Sequence, residues 1–182
     1  MKYSSADRST PDKSITSFFE ARNAKAQLNC YIRDKIRSDG KGQFDNNFSE
    51  VRKYYLSFFT GKALTGNKPK ADDQDISQCL KKATKLSLEI KEVKEETPTR
   101  AIVIANIRNI TAIPDGATVD DFDKKRRADG EDFKYELTKE KSEWRISQVY
   151  SFDDIEKHDW EVKYKDDDGP YVPSIALPVD LY

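Results

Sequence analysis

The sequence predicts an α+β domain in which two N-terminal helices pack on an antiparallel sheet. Three observations carry this prediction. Apolar residues recur every three or four positions in the first 60 residues, which is typical of amphipathic helices. From Leu86 onward they alternate with polar residues, as in half-buried strands. A run of helices followed by a run of strands is the element order of an α+β fold.

The first helix is predicted to begin at Thr10, whose hydroxyl can cap free backbone N–H groups. Pro11 suits the first helical position, and Asp12 favours the positive end of the helix dipole. The apolar positions that follow are spaced by three, four and seven: Ile15, Phe18, Phe19, Ala26, Tyr31, Ile32 and Ile36. One face of this helix is therefore expected to enter the core.

A second helix is predicted from Asn47, with Glu50 in the position of a capping box, to Thr60 and Gly61. It carries a broad aromatic stripe: Phe48, Val51, Tyr54, Tyr55, Phe58 and Phe59. Residues 61–78 are polar and predict a loop, with a short helix at about 76–83.

Strands are predicted wherever apolar and polar residues alternate. The segments are 86–90, 101–110, 133–137, 144–149 and 160–164. The segment 101–110 is apolar on both faces in its first half, so it should be the most buried strand. The broken alternation between Ile146 and Val149 indicates a β-bulge. Residues 114–131 are predicted to form a long charged connection.

The 182 residues fit one domain. We predict a polar leader at 1–9, the folded domain at 10–152 and an acidic C-terminal extension at 153–182. Residues 151–182 hold nine acidic and three basic residues. This extension either stays solvated, folds back on a basic face, or meets a basic partner.

Composition excludes several classes of function. With 32 basic and 33 acidic residues, net charge is −1, so no nucleic-acid partner is expected. No apolar run approaches the roughly 18 residues of a membrane span. The polar start suits either a tether after an upstream lipid anchor or an ordinary frayed terminus. Cys30 and Cys79 are compatible with one disulfide or with two buried thiols.

No catalytic, metal or cofactor motif is found. His158 lies in the acidic extension, where a solvated surface residue is the expected interpretation. The acidic groups at 120–123 and 166–168 do not match a calcium loop. The basic run at 124–127 is flanked by acids, which favours self-neutralisation over phosphate binding. We therefore expect no cofactor and no metal.

Three stretches carry a family resemblance. These are the capped helix start Thr10–Ala21, the aromatic helix 48–59, and the pair Phe133–Glu140 and Glu143–Ser147, where a charged turn leads into Trp144, Arg145 and Ile146. Over residues 10–152 the chain resembles the nuclear transport factor 2-like superfamily, also called cystatin-like or SnoaL-like. The resemblance implies a strongly curved sheet, a conical cavity under the helices, and members as diverse as isomerases, immunity proteins and lipoproteins.

Aromatic side chains are the candidate ligand-binding residues. We predict that they line the cavity beneath the helices and hold a small amphipathic ligand: Phe19, Tyr54, Tyr55, Phe58, Tyr135 and Trp144. The alternative is that the same rings fill the core.

Three functions follow. The first is a non-enzymatic binding or assembly domain outside the cytoplasm, periplasmic or on the surface of a bacterium, with a protein partner or a small ligand. The second is an isomerase or dehydratase that uses a tyrosine (Tyr31, Tyr54 or Tyr55) with a carboxylate such as Asp34. The third is an immunity or inhibitor protein that uses its acidic extension. The chain is expected to be a monomer or a homodimer.

Overall fold

A computed structural model describes residues 5–23, 53–61, 63, 85–113, 115–153 and 158–162. Several predictions lie outside these residues. They concern the end of the first helix, the start of the second, the short helix at 76–83, the pairing of Cys30 with Cys79, the tyrosine–carboxylate pair Tyr31 and Asp34, and the C-terminal extension after residue 162.

Five strands form one antiparallel sheet. They are β1 (Leu86–Thr97), β2 (Arg100–Asn109), β3 (Glu131–Glu140), β4 (Glu143–Asp153) and β5 (Asp159–Val162). The strand order is β1-β2-β3-β4-β5, so every strand pairs with its neighbours in sequence. Together with the N-terminal helix, this sheet confirms the predicted α+β class. β5 lies within the predicted acidic extension; the boundary at 152 stays a prediction.

The sheet has an inner face that enters the core and an outer face. β2 buries five of its ten residues, as its two-sided apolar pattern predicted. The buried inner-face residues alternate along β2, β3 and β4: Ala101, Val103, Ala105, Ile107, Phe133, Tyr135, Leu137, Trp144, Ile146 and Val149. Since strand side chains alternate between faces, the residues between them point outward.

Register shifts bend three places in the sheet. The predicted bulge in β4 is confirmed, because Leu137 pairs with Ile146 whereas Glu136 pairs with Gln148. Ser147 is therefore the extra residue, and it keeps both Ile146 and Val149 in the core. β1 shifts register twice, between Ile90 and Glu92 and again near its end. Such bulges bend and twist a strand.

Helix α1 is described over residues 11–23, and Phe18 is the centre of its contacts. The ring is 3% exposed and lies 5.2 to 6.2 Å from four other rings: Tyr55, Phe58, Phe59 and Tyr135. One cap differs from the prediction. Thr10 accepts the backbone bond from Ser14 N–H through its carbonyl, but among the described residues its hydroxyl has no partner.

Helix α2 is described at residues 53–56 and ends earlier than the predicted Thr60. The reason is a competing backbone partner at the edge of β4. Thr60 N–H donates to the Ile146 carbonyl, and Ile146 N–H donates to the Phe58 carbonyl, each at 2.8 Å. Phe59 thereby forms a parallel bridge with β4. Gly61 follows with a positive φ of 53°, as predicted for the residue that turns the chain.

Residues 114–131 do not form only the predicted loop, because they contain helix α3 (Asp121–Asp129). Asp120 caps its start by accepting from Asp123 N–H at 2.7 Å. Ion pairs one turn apart join Lys124 to Asp121 and Lys125 to Asp129. None of its residues is buried. A helix without an apolar face has no helical hydropathy pattern, so its period does not reveal it.

The segment before α1 is fastened to β4 and α2. Trp144 N–H donates to the Arg8 carbonyl at 3.0 Å. The Arg8 guanidinium pairs with Glu143, donates to Ser57 Oγ, and lies 4.4 Å from the centre of the Phe58 ring. Part of the predicted polar leader therefore packs against the sheet.

Asp7 makes this segment sensitive to acid. Its carboxylate accepts from the hydroxyl and N–H of Ser9 and pairs with Lys13, and these contacts lower its pKa from 3.8 to about 2. A lowered folded-state pKa stabilises the fold above pH 3.8 and ceases to do so as the pH falls toward 2. We expect Asp7→Asn to lower the unfolding temperature at pH 6 and to flatten its decline between pH 4 and pH 2.

Thermal unfolding followed by circular dichroism across this pH range measures the effect. Asp115→Asn, in the exposed turn after β2, is the control and should behave as wild type. An unchanged acid profile in Asp7→Asn would show that the Asp7 contacts do not contribute.

Candidate functional site

The six predicted ligand-binding residues all lie at the interface of α1, the α2 segment and the inner face. Five are buried at 9% exposure or less: Phe19, Tyr55, Phe58, Tyr135 and Trp144. Tyr54 is half-buried and stands edge-on to Phe58, with the ring centres 5.4 Å apart. The structure thus brings the six residues to one side of the sheet. That they bind a ligand stays a prediction.

The inner rings contact one another closely. Tyr55 stands edge-on to Phe59 with ring centres 5.4 Å apart, and Phe133 lies 6.4 Å from Tyr135. Burial raises the pKa of Tyr135 to about 12, so its hydroxyl stays neutral at physiological pH. Such geometry is what a packed aromatic core shows, and it accounts for these rings without a ligand.

A second aromatic group lies on the outer face. We call it the aromatic strip and define it as Lys134, Tyr150, Phe152 and Trp160. Lys134 pairs across strands with Tyr150, and Phe152 pairs with Trp160. Residues paired across strands share a face, and Lys134 is next to the buried Tyr135, so the strip faces away from the core.

The strip is partly open to solvent. Phe152 is 39% exposed, and the other three side chains are half-buried. Phe152 and Trp160 form an edge-to-face pair with ring centres 5.3 Å apart. Such a pair is well defined in orientation, and an exposed aromatic group of this kind is typical of a surface that binds another molecule.

Lys134 stands between two rings. Its Nζ lies 4.2 Å from the centre of the Tyr150 ring and 5.1 Å from that of Trp160. Each contact contributes roughly 0.5–1 kcal/mol at an exposed position. Within the described ranges, no carboxylate forms an ion pair with this ammonium group.

Tyr150 is held by a hydrogen bond. Its hydroxyl donates to Glu136 Oε1 at 2.8 Å. Burial, reinforced by the Glu136 carboxylate, raises the pKa of Tyr150 to about 12. The tyrosine therefore remains a neutral donor, and Glu136 holds its ring in place against Lys134. The isomerase or dehydratase hypothesis requires a tyrosine and a carboxylate inside the conical cavity, whereas Tyr150 and Glu136 lie on the outer face.

Most of the other polar candidates that the structure describes form structural contacts. In the basic run on α3, Lys124, Lys125 and Arg126 pair with nearby acids, and Arg127 donates to the Thr111 carbonyl. Asp120 is a helix cap. His158 is exposed and has a positive φ of 50°. Across the described residues, no three potential metal ligands come together.

Comparison with known families identifies the chain. The family described as ARC6-like, IMS domain matches residues 44–147, which is more than half of the 182 residues. The chain belongs to the ARC6-like IMS domain family. The matched region contains β1, β2, α3, β3 and the first five of the eleven residues of β4, and of the aromatic strip it includes Lys134 alone. No curated relative matches the chain.

One solved structure is similar to this ARC6-like IMS domain. It is an NTF-2 like protein of unknown function from Shewanella oneidensis MR-1. The two are 12% identical, and the alignment covers 78% of this chain and 98% of the other with a TM-score of 0.40. A similarity of this size assigns neither a site nor a function.

No helix among the described residues of this ARC6-like IMS domain is long and apolar enough to cross a membrane.

Sequence reasoning predicted the inner aromatic residues and missed the strip. The signal was present in the alternation of β4, since Tyr150 and Phe152 fall on the face opposite Val149. Tyr150, Phe152 and Trp160 all fall on the face that alternation assigns to solvent, and three rings on that face indicate a second surface.

Proposed function

We propose that this chain is a non-enzymatic, extracytoplasmic domain that binds a protein partner through its aromatic strip. The observation that carries the proposal is the strip itself, an edge-to-face pair with an exposed Phe152 ring, beside a cation held between two rings. Tyr, Trp and Phe are enriched at protein interfaces, where rigid rings bury much area while losing little conformational freedom. The strip supplies one of each.

Location outside the cytoplasm rests on the family. IMS denotes the intermembrane space, and a domain of that compartment acts outside the cytosol. The location is tested by fusing alkaline phosphatase, which is active only where disulfides form, to the C-terminus of the native gene product. Activity in intact cells supports the proposal. An inactive phosphatase fusion, together with an active cytoplasmic reporter fused at the same position, would contradict it.

The binding role is tested with a photo-activated cross-linker placed at Phe152 in the source cells. A second protein carries the cross-linker at Phe122, which is 53% exposed on α3 and is a matched control outside the strip. The proposal expects a discrete adduct from position 152 only. Equal adducts from both positions would show non-specific contact.

We expect Trp160→Ser to weaken the purified complex with that partner about tenfold or more, as interface aromatic residues commonly do. Trp160 contacts Phe152 and Lys134, so its removal opens the strip while the buried core stays intact. Titration calorimetry measures the affinity, and thermal unfolding checks the fold. Phe122→Ser should bind as wild type. Unchanged affinity in Trp160→Ser would remove the strip from the interface.

A small amphipathic ligand beneath the helices remains the second proposal. Its support is the half-buried Tyr54 at the rim of the inner aromatic group, where a hydroxyl meets apolar rings. Native mass spectrometry of protein purified from its source tests it. A reproducible mass addition that is lost in Tyr54→Ala supports a bound ligand, and a bare mass at gentle ionisation contradicts it.

A further inference from the structure

Lys134 gives the aromatic strip a chemical preference. The two acids that flank it on β3 and share its face are Asp132 and Glu136. Asp132 is engaged by Lys91 at 2.8 Å and by Asn106 at 2.7 Å. Glu136 accepts the Tyr150 hydroxyl. Both neighbouring carboxylates are therefore already partnered, and the Lys134 ammonium is left to the faces of two rings.

A cation held by rings differs from a freely moving surface lysine. The contacts at 4.2 and 5.1 Å fix Nζ between Tyr150 and Trp160, so less side-chain freedom is lost when an anion arrives. The rings leave the ammonium protons able to donate, because a ring face attracts the charge without accepting strong hydrogen bonds. A carboxylate that reaches Nζ meets a charge-assisted donor.

We propose that the occupant of the strip is an acidic segment of the partner protein that carries an aromatic residue. Its carboxylate pairs with Lys134, and its ring packs beside Phe152 and Trp160. This inference rests on the protein-binding function proposed above and names the chemistry of the partner. Lys134 Nζ lies between the Tyr150 and Trp160 rings, and Phe152 pairs with Trp160. The partner segment therefore needs an acid and a ring close together in sequence.

The probe is the blocked peptide acetyl-Glu-Asp-Phe-Glu-amide, with acetyl-Gln-Asn-Phe-Gln-amide as its neutral match. Each is titrated into the full chain, and the indole N–H of Trp160 is followed by NMR. We expect the acidic peptide to shift this resonance and to bind about tenfold more tightly than the neutral one, with the difference shrinking as salt screens the charges.

Two variants test the role of the charge. Lys134→Gln should bring the acidic peptide to the affinity of the neutral one, and Lys134→Arg should retain most of the preference. Lys139→Gln is the matched control, because Lys139 lies on the same strand and its Nζ is 5.4 Å from the Trp144 ring, outside the strip. It should bind the acidic peptide as wild type.

The failure of this inference differs from the failure of the proposed function. Equal binding of the acidic and neutral peptides, or an undiminished preference in Lys134→Gln, overturns the acidic segment. The proposed function survives that result if Trp160→Ser still weakens the cross-linked complex. A second copy of this chain in the cross-linked adduct, with a Lys134-independent affinity, would overturn the proposed partner chemistry.

Discussion

Phe18→Ala is expected to lower the free energy of unfolding by about 3–5 kcal/mol, the usual range for removing a buried phenylalanine ring. Phe18 is 3% exposed and contacts four other rings: Tyr55 on α2, Phe58 and Phe59 just after α2, and Tyr135 on β3. Its removal leaves a cavity where both helical segments meet the sheet. Urea unfolding followed by fluorescence and circular dichroism measures the loss.

Phe122→Ala is the matched control, since the same ring is removed from an exposed site on α3. A change within about 0.5 kcal/mol is expected there. Phe18→Leu should lie between wild type and Phe18→Ala because it refills part of the volume. A loss below about 1 kcal/mol in Phe18→Ala would mean that the inner aromatic group is not tightly packed, and would favour the ligand-filled interpretation.

Gly130→Ala is expected to destabilise the domain by about 3 kcal/mol, from backbone strain and overpacking together. Gly130 ends α3 with φ 74° and ψ −168°, a region that residues with a side chain rarely adopt. A methyl group there would lie 2.3 Å from Asn106 Oδ1 and 2.6 Å from Arg108 Cγ. Asn106 is itself 2% exposed and bonded to Asp129 and Asp132, so it has little room to move.

Gly116→Ala separates the two causes. Gly116 also has a positive φ, 80°, but none of the residues that the structure describes lies within 4 Å of the position of a methyl group. Gly116→Ala should therefore lower the free energy of unfolding only by the cost of the left-handed backbone conformation, about 1–2 kcal/mol. Equal losses in the two variants, measured by urea unfolding, would show that Asn106 and Arg108 yield to the added methyl group.

The parts of the fold that follow an apolar pattern were predictable from the sequence. The bulge at Ser147 follows from the spacing of Ile146 and Val149, because only an extra residue returns both to the core. Helix α3 was not predictable in the same way. Its stability comes from the Asp120 cap and from charge pairs, and charged runs have the same composition whether they are helical or not.

Contacts between distant residues mark the second limit of sequence reasoning. The partners of Arg8 are Ser57, Phe58 and Glu143, and nothing near residue 8 indicates any of them. The early end of α2 has the same origin, since the edge of β4 lies far along the chain from residues 58–60. The candidate strip was missed because its rings fall on the face that alternation assigns to solvent.

The division of the β4 edge has a consequence for the order of synthesis. One half of that edge is completed by β5, and the other by residues 58–60 and Arg8. The N-terminal pieces leave the ribosome long before β4 exists, and β5 leaves after it. Until all three have emerged, the strand offers unpaired backbone groups to other nascent chains. Slow translation beyond residue 153 should therefore promote aggregation, whereas a pause before residue 143 should not.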